Sequence, residues 1–262
     1  MIRKIINNIT VFDSDNGKKP LIFVHAFPLT SKMWDLQVKE FSSDYRVITY
    51  DVRGLGESKQ VNNQFMMENY ADDLICIIEE LKTGAVNAVG LSMGGYIIQR
   101  ALLKRTDLFK SLVLSDTRLD SDSNEGLVLR AAAINKILNG KRKEFIDGFI
   151  VNLVNKENFK NTELVAKISS IVSLSSDEGI AGALLALATR TDNSNAFNDF
   201  TLPVLALVGK DDVLTPLVCA QSIKDSFINS ELAIIENSGH LSNLENPDSF
   251  NRYIRNFLQK TV

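Results

Sequence analysis

The sequence predicts an α/β fold: a mostly parallel, eight-stranded sheet flanked by helices, with a block of helices inserted after the sixth strand. Three observations carry this expectation. Runs such as Leu21-Ile22-Phe23-Val24 and Val204-Leu205-Ala206-Leu207-Val208 are apolar throughout, as strands buried on both faces are. These runs alternate with stretches of helical periodicity, which is the pattern of a parallel sheet with crossover helices. From about Leu119 to Phe200 the strand runs stop and only amphipathic helical periods remain.

Taken in order, Met1 to Phe12 reads as a hairpin, because Ile5-Ile6 and Ile9-Thr10-Val11-Phe12 flank Asn7-Asn8, which tolerate positive φ. Asp13 to Lys19 is a polar turn, and Leu21 to Val24 a buried strand ending in His25-Ala26-Phe27-Pro28. A helix is expected over Trp34 to Phe41, then a strand at Val47-Ile48-Thr49-Tyr50 that runs into Asp51-Val52-Arg53-Gly54-Leu55-Gly56-Glu57-Ser58, a loop with an expected internal Asp51–Arg53 pair. The helix from about Met67 to Leu81 has Leu74, Ile77, Ile78 and Leu81 on one face. Val86 to Val89 is the next strand, a helix covers 94–105, and Leu112-Val113-Leu114 is a strand ending at Ser115-Asp116-Thr117.

Within the insertion, Leu127, Ala131, Ile134 and Leu138 form one apolar stripe closed by Gly140. Phe145, Phe149, Ile150 and Leu153 form a second, and Leu164, Ile168, Ile171 and Val172 a third. Ser175 and Glu178 have the spacing of a capping box ahead of a fourth helix, Ile180 to Ala188. The stripes are read mainly as packing, with some apolar members lining the roof of a pocket. Alternation resumes at Pro203 to Gly209, followed by a loop through Pro216, a helix over Leu217 to Ser226, a strand at Leu232 to Ile235, and a closing helix from Pro247, where proline sits well in a first turn. The domain expectation is a core of 1–118 and 201–262 with a helical cap of 119–200.

Composition bounds the function. The chain has 262 residues, 45% hydrophobic and 23% charged, with a net charge of −3. That is ordinary for a globular protein and argues against nucleic acid or an anionic membrane as the main partner. No apolar run reaches membrane-spanning length, and the polar residues after Arg3 and Lys4 leave no signal-peptide core. Cys76 and Cys219 lie far apart, and Cys76 sits in Leu74-Ile75-Cys76-Ile77-Ile78, where a small buried side chain is expected. Two cysteines and two histidines without ligand spacing argue against a metal site. A reduced, cytoplasmic protein without metal or organic cofactor is expected; composition leaves a homo-oligomer open.

The chemistry centres on Gly90-Leu91-Ser92-Met93-Gly94-Gly95, a G-x-S-x-G pattern between a buried strand and a helix. A strand that turns sharply into a helix holds a serine proud of the sheet, and glycines permit the close backbone approach. The helix start also presents free N–H groups and a positive dipole end. A serine hydroxyl needs a base to take its proton, and the base needs an acid to fix its tautomer. His240 follows the last strand, and Asp212 lies between Ser92 and His240 at a strand end, so the three can supply nucleophile, acid and base in the order Ser, Asp, His. Asp211 and Asp116 are rival acids. His25, before the serine, is expected to make a structural hydrogen bond.

These motifs, in order and at strand ends, resemble the α/β-hydrolase superfamily across nearly the whole chain. The residues that carry the resemblance are His25-Ala26-Phe27-Pro28, the 51–58 loop, Gly90 to Gly95, Gly209-Lys210-Asp211-Asp212 with Thr215-Pro216, and Gly239-His240. Gly-Leu-Ser-Met-Gly-Gly and His240 to Pro247 are similar to 3-oxoadipate enol-lactonase-like hydrolases, with carboxylesterases and cofactor-free perhydrolases alike here. The resemblance implies an α/β-hydrolase fold with a helical cap. It also implies an oxyanion hole from the backbone N–H groups of Phe27 and Met93, Asp212 rather than Asp211 as the acid, and a cis Phe27–Pro28 bond. The family usually has His-Gly where this chain has His25-Ala26, so a position needing positive φ would strain Ala26. The expected activity is cleavage of a small ester, thioester or lactone through a Ser92 acyl-enzyme. The alternatives are perhydrolysis or lyase chemistry on the same fold, or a non-catalytic small-molecule receptor. Ser92 excludes the dehalogenase and epoxide-hydrolase relatives, which use a carboxylate at this elbow.

Overall fold

The computed structural model describes residues 1–59 and 65–261. Strands β1 (Ile2–Ile6) and β2 (Ile9–Asp13) pair antiparallel through a turn in which Asn7 and Asn8 have φ of 47° and 65°. Then follow β3 (Pro20–Val24), α1 (Asp35–Phe41, entered by a 3₁₀ turn), β4 (Arg46–Tyr50), α2 (Met67–Glu80), β5 (Val86–Leu91), α3 (Met93–Lys104) and β6 (Phe109–Ser115). Four helices come next: α4 (Asn124–Lys136), α5 (Arg142–Ile150), α6 (Thr162–Val172) and α7 (Asp177–Ala188). The chain closes with β7 (Val204–Gly209), α8 (Leu217–Ser226), β8 (Ser230–Ile235), the single turn α9 (Ser242–Glu245) and α10 (Pro247–Lys260).

The eight strands form one sheet in the order β1-β2-β4-β3-β5-β6-β7-β8, parallel from β4 to β8. This is the α/β sheet the sequence predicts, with the helical insertion after the sixth strand. All six residues of β5 and of β7 are buried, which is why both segments are almost wholly apolar. Full burial of one such Val or Leu side chain contributes about 1.5–3 kcal/mol.

Register decides where the functional loops meet. Val24 pairs with both Tyr50 and Gly90, Leu91 with Ser115, Ser115 with Leu207, and Gly209 with Ile235. The strands therefore end together, and the segments after residues 24, 50, 91, 115, 209 and 235 leave from one edge. From β3 the chain crosses to β4 on one side, whereas β5 lies on the other. Ser92 thus follows a strand at the point where the strand order reverses, the place at which open α/β sheets bind ligands.

Several details differ from the sequence reading. In and just after α4 the expected stripe faces inward only in part: Ile134 packs against the core, but Ala131 is exposed, Leu127 and Leu138 are 38% and 57% exposed, and Ala133 and Ile137 are buried instead. The helix is rotated by about one residue, roughly 100°. Apolar spacing alone does not mark the inward side, which also carries Gly126 and Arg130, both lining a cavity. Gly140, with φ of 75°, closes this helical segment as expected; the turn there is of π type. Helix α7 is capped by Ser176, which accepts from Gly179 N–H at 3.1 Å; Ser175 instead accepts from Gly56 N–H at 3.0 Å and ties the insertion to the loop after β4. Arg53 pairs with Asp73, at 2.8 and 2.5 Å, rather than with Asp51, because Asp51 is occupied by the N–H groups of Ser31 and Glu57. Cys76 is half-buried rather than buried, and both cysteines are free. Among the described residues no single helix is long and apolar enough to cross a membrane, and no cluster suited to a metal ion occurs.

Candidate active site

Ser92 stands between β5 and α3 with φ 54° and ψ −113°, a conformation that costs a non-glycine residue about 1–3 kcal/mol. Its own backbone is over-determined. Its N–H donates to Ser115 C=O at 3.0 Å, and its C=O accepts from Gly95 N–H and from Thr117 Oγ1, both at 2.9 Å. The glycines explain how the turn closes. A Cβ on Gly90 would lie 2.6 Å from Gly94 O, and one on Gly94 would lie 2.0 Å from Val24 O of the neighbouring strand. Any larger residue would push the serine off the edge of the sheet.

The loop after β7 carries Asp212, and the turn after β8 carries His240. Both are buried, and His240 Nδ1 lies 2.8 Å from Asp212 Oδ2. Asp212 Oδ1 accepts from the N–H groups of Leu214 and Thr215, at 2.8 and 3.0 Å, and Oδ2 accepts from Thr215 Oγ1 at 2.5 Å. Burial alone would raise the Asp212 pKa, but His240 and these donors outweigh it and hold the carboxyl down at about 2. Burial alone would lower the His240 pKa, but the Asp212 charge and hydrogen bond outweigh it and raise it above 6.5. The pair is built to carry a proton on His240 Nδ1, which leaves Nε2 as the basic nitrogen.

Gly209 lets the two loops touch. A Cβ there would sit 2.0 Å from Gly239 O and 2.6 Å from Ser238 O. We expect Gly209→Ala to cost about 1–3 kcal/mol through this clash. That is a fall in Tm of about 5 °C for a chain this size, accompanied by loss of activity as Asp212 and His240 separate. Thermal unfolding checks it, and an unchanged Tm overturns the packing argument.

The rival residues are placed elsewhere. Asp211 is exposed, its Oδ2 accepting from Asn155 Nδ2 at 3.2 Å. Asp116 is buried behind the pair, accepting from Gly209 N–H at 2.8 Å, from Ser115 Oγ at 2.7 Å and from Ser242 Oγ. Burial and the nearby Asp212 charge push it up to about 7. His25 spans two loops: Nδ1 lies 2.9 Å from Ala26 O, and Nε2 accepts from Val52 N–H at 2.8 Å. Burial lowers its pKa, and the bond to Val52 is the structural role expected of it. Glu245 anchors the His240 turn by accepting from Gly239 N–H and Asn155 N–H, each at 2.8 Å.

Ser92, His240, Thr215 and Phe27 line one cavity of about 370 Å³. Among the described residues the Phe27 N–H has no protein acceptor. Met93 is the first residue of α3, where a helix leaves its N–H without an intrahelical partner. The Phe27–Pro28 bond is cis, and Ala26 is not among the residues of positive φ, so its side chain carries no such strain. Sequence reasoning missed the other polar side chains of the lining: Tyr96, Arg118, Asp122, Arg130 and Arg190. Thr215 was visible only as part of a motif; the Asx turn that signals this loop runs from Asp212 to the Leu214 N–H, and Thr215 is the next residue.

The sequence profile described as alpha/beta hydrolase fold matches residues 19–247. The chain is 26% identical over 246 residues to 3-oxoadipate enol-lactonase 2 of Acinetobacter baylyi, covering 92% of this chain and 88% of that protein. It is 28% identical over 242 residues to a non-heme chloroperoxidase of Burkholderia pyrrocinia, covering 83% and 85%. Among solved structures it resembles a thermophilic esterase from Thermogutta terrifontis with malate bound, with a TM-score of 0.93 and 31% identity over 100% of this chain and 99% of that one.

Proposed function

The chain belongs to the α/β-hydrolase fold family, and from that premise we propose that it is a serine hydrolase cleaving a small carboxylic ester, thioester or lactone. The observation that carries the reading is that His240, hydrogen-bonded to the buried Asp212, lines the same cavity as Ser92 at the strand-to-helix turn.

Ser92 Oγ attacks the carbonyl carbon while His240 Nε2 takes its proton. Asp212 keeps the remaining imidazole proton on Nδ1 and steadies the positive ring. The carbonyl oxygen, now negative, is held by the N–H groups of Phe27 and Met93 beside the positive end of α3. His240 returns the proton to the leaving oxygen or sulfur, and an acyl-Ser92 ester remains. Water, deprotonated by His240, releases the acid and restores Ser92. The 119–200 helices act as a cap that shapes the substrate space. The esterase and enol-lactonase relatives support ester or lactone substrates. The chloroperoxidase relative supports a second reading on the same residues, in which hydrogen peroxide replaces water at the acyl-enzyme and a peracid leaves.

The test is labelling with a fluorophosphonate probe, mapped by mass spectrometry, together with turnover of p-nitrophenyl esters across pH. We expect one adduct, on Ser92. We expect kcat/KM to fall as pH drops, because protonated His240 is no base; since its pKa is raised, the midpoint lies above 6.5, while Asp212, held at about 2, stays ionised throughout. An unlabelled Ser92 in folded protein, or an acid limb well below 6.5, overturns the reading. Added peroxide that diverts product to peracid favours the second.

A further inference from the structure

The wall of the Ser92 cavity is unusual in charge. Beside apolar Phe27, Leu129 and Phe149 it carries three guanidinium groups, Arg118, Arg130 and Arg190, against one carboxylate, Asp122. Even with Asp120, 3.4 Å from Arg118 and 52% exposed, one positive charge is in excess.

The three arginines are not equivalent. Arg190, only 4% exposed at the side chain, is used up by the protein. It donates to Asp122 Oδ1 at 2.7 Å and to the backbone oxygens of Asp120 and Leu187, and it stacks 4.5 Å over the Tyr96 ring. Arg130 holds Asp122 through Nε and Nη2, and Arg118 holds Leu214 O through Nη2 at 2.6 Å. Among the described residues, Arg130 Nη1 and Arg118 Nε have no partner, so one nitrogen on each arginine remains free to donate at a partly apolar cavity that Ser92 also lines. Arginine in that setting matches a carboxylate, because each remaining N–H can donate to a carboxylate oxygen and the guanidinium charge is cheap to desolvate.

We infer that Arg118 and Arg130 form a carboxylate subsite, and that the ester or lactone cleaved at Ser92 bears a free carboxylate on a short apolar body. The inference rests on the hydrolase reading for its chemistry but not for its binding test. Glutarate and its uncharged analogue glutaramide are titrated calorimetrically into the intact protein, without turnover. Separately, mono-p-nitrophenyl glutarate is compared with p-nitrophenyl valerate. We expect glutarate to bind about 10- to 100-fold more tightly than glutaramide, the range of a charge-assisted hydrogen bond, and the hemi-ester to be preferred in kcat/KM by a similar factor. Both advantages should shrink at high salt. Arg118→Gln and Arg130→Gln should each abolish most of the difference, and Arg118→Lys should restore part of it.

Equal binding of glutarate and glutaramide overturns the subsite, and so does a glutarate advantage that survives both glutamine variants. If the neutral ester turns over and Ser92 is labelled while glutarate does not bind, the hydrolase reading stands alone. If glutarate binds through the arginines but neither ester turns over, the subsite stands and the hydrolase reading falls.

Discussion

Ser92→Ala is expected to lower kcat/KM on p-nitrophenyl esters by about 10⁴- to 10⁶-fold, the range seen when a triad nucleophile is removed. The fold should be indifferent to the change. The bonds that hold the elbow use the N–H and C=O of Ser92, and the strained backbone meets the same Cβ in alanine as in serine. Tm should therefore stay within about 2 °C of the parent, an effect below about 1 kcal/mol. Steady-state kinetics with thermal unfolding on one preparation checks both halves. Retention of more than a few per cent of activity would remove Ser92 from the mechanism.

Asp212→Asn should be nearly as damaging, by about 10⁴-fold in kcat. Asparagine still accepts from Leu214 and Thr215, so the loop survives. Its amide, however, offers His240 Nδ1 a donor where the carboxylate was an acceptor, and it turns the imidazole to the wrong tautomer. The charge that raises the His240 pKa is lost as well, so any residual activity should show its acid limb at lower pH. Asp211→Asn, on an exposed residue bonded to Asn155, should change kcat by less than about threefold, in line with surface substitutions. If Asp116→Asn or Asp211→Asn proved worse than Asp212→Asn, the assignment of the acid would be wrong.

How far the sequence could be read follows from which residues interact locally. The strands were legible because burial on both faces demands continuous apolar runs, as in β5 and β7. The elbow was legible because its requirement is local: a strand, a tight turn with glycines and a helix within a dozen residues. His25 was legible as structural from its place in a loop after β3. The partners of Arg53 and the inward side of α4 were not. Arg53 reaches Asp73 on α2, and which face of α4 turns inward depends on what the cavity beneath it needs.

By itself the sequence determined the fold class, the order of its elements and the identity of Ser92, Asp212 and His240 as candidates. Periodicity, turn chemistry and residue order are properties of the chain read along its length. Only the tertiary structure decided that Asp212, and not its neighbour Asp211, meets His240. It alone brought Arg118, Arg130 and Arg190 to the cavity of Ser92 from three separate segments. The physical reason is range: contacts across tens of residues are set by strand register and helix rotation, and a shift of one residue in either exchanges the side chain that faces the site for one that faces water.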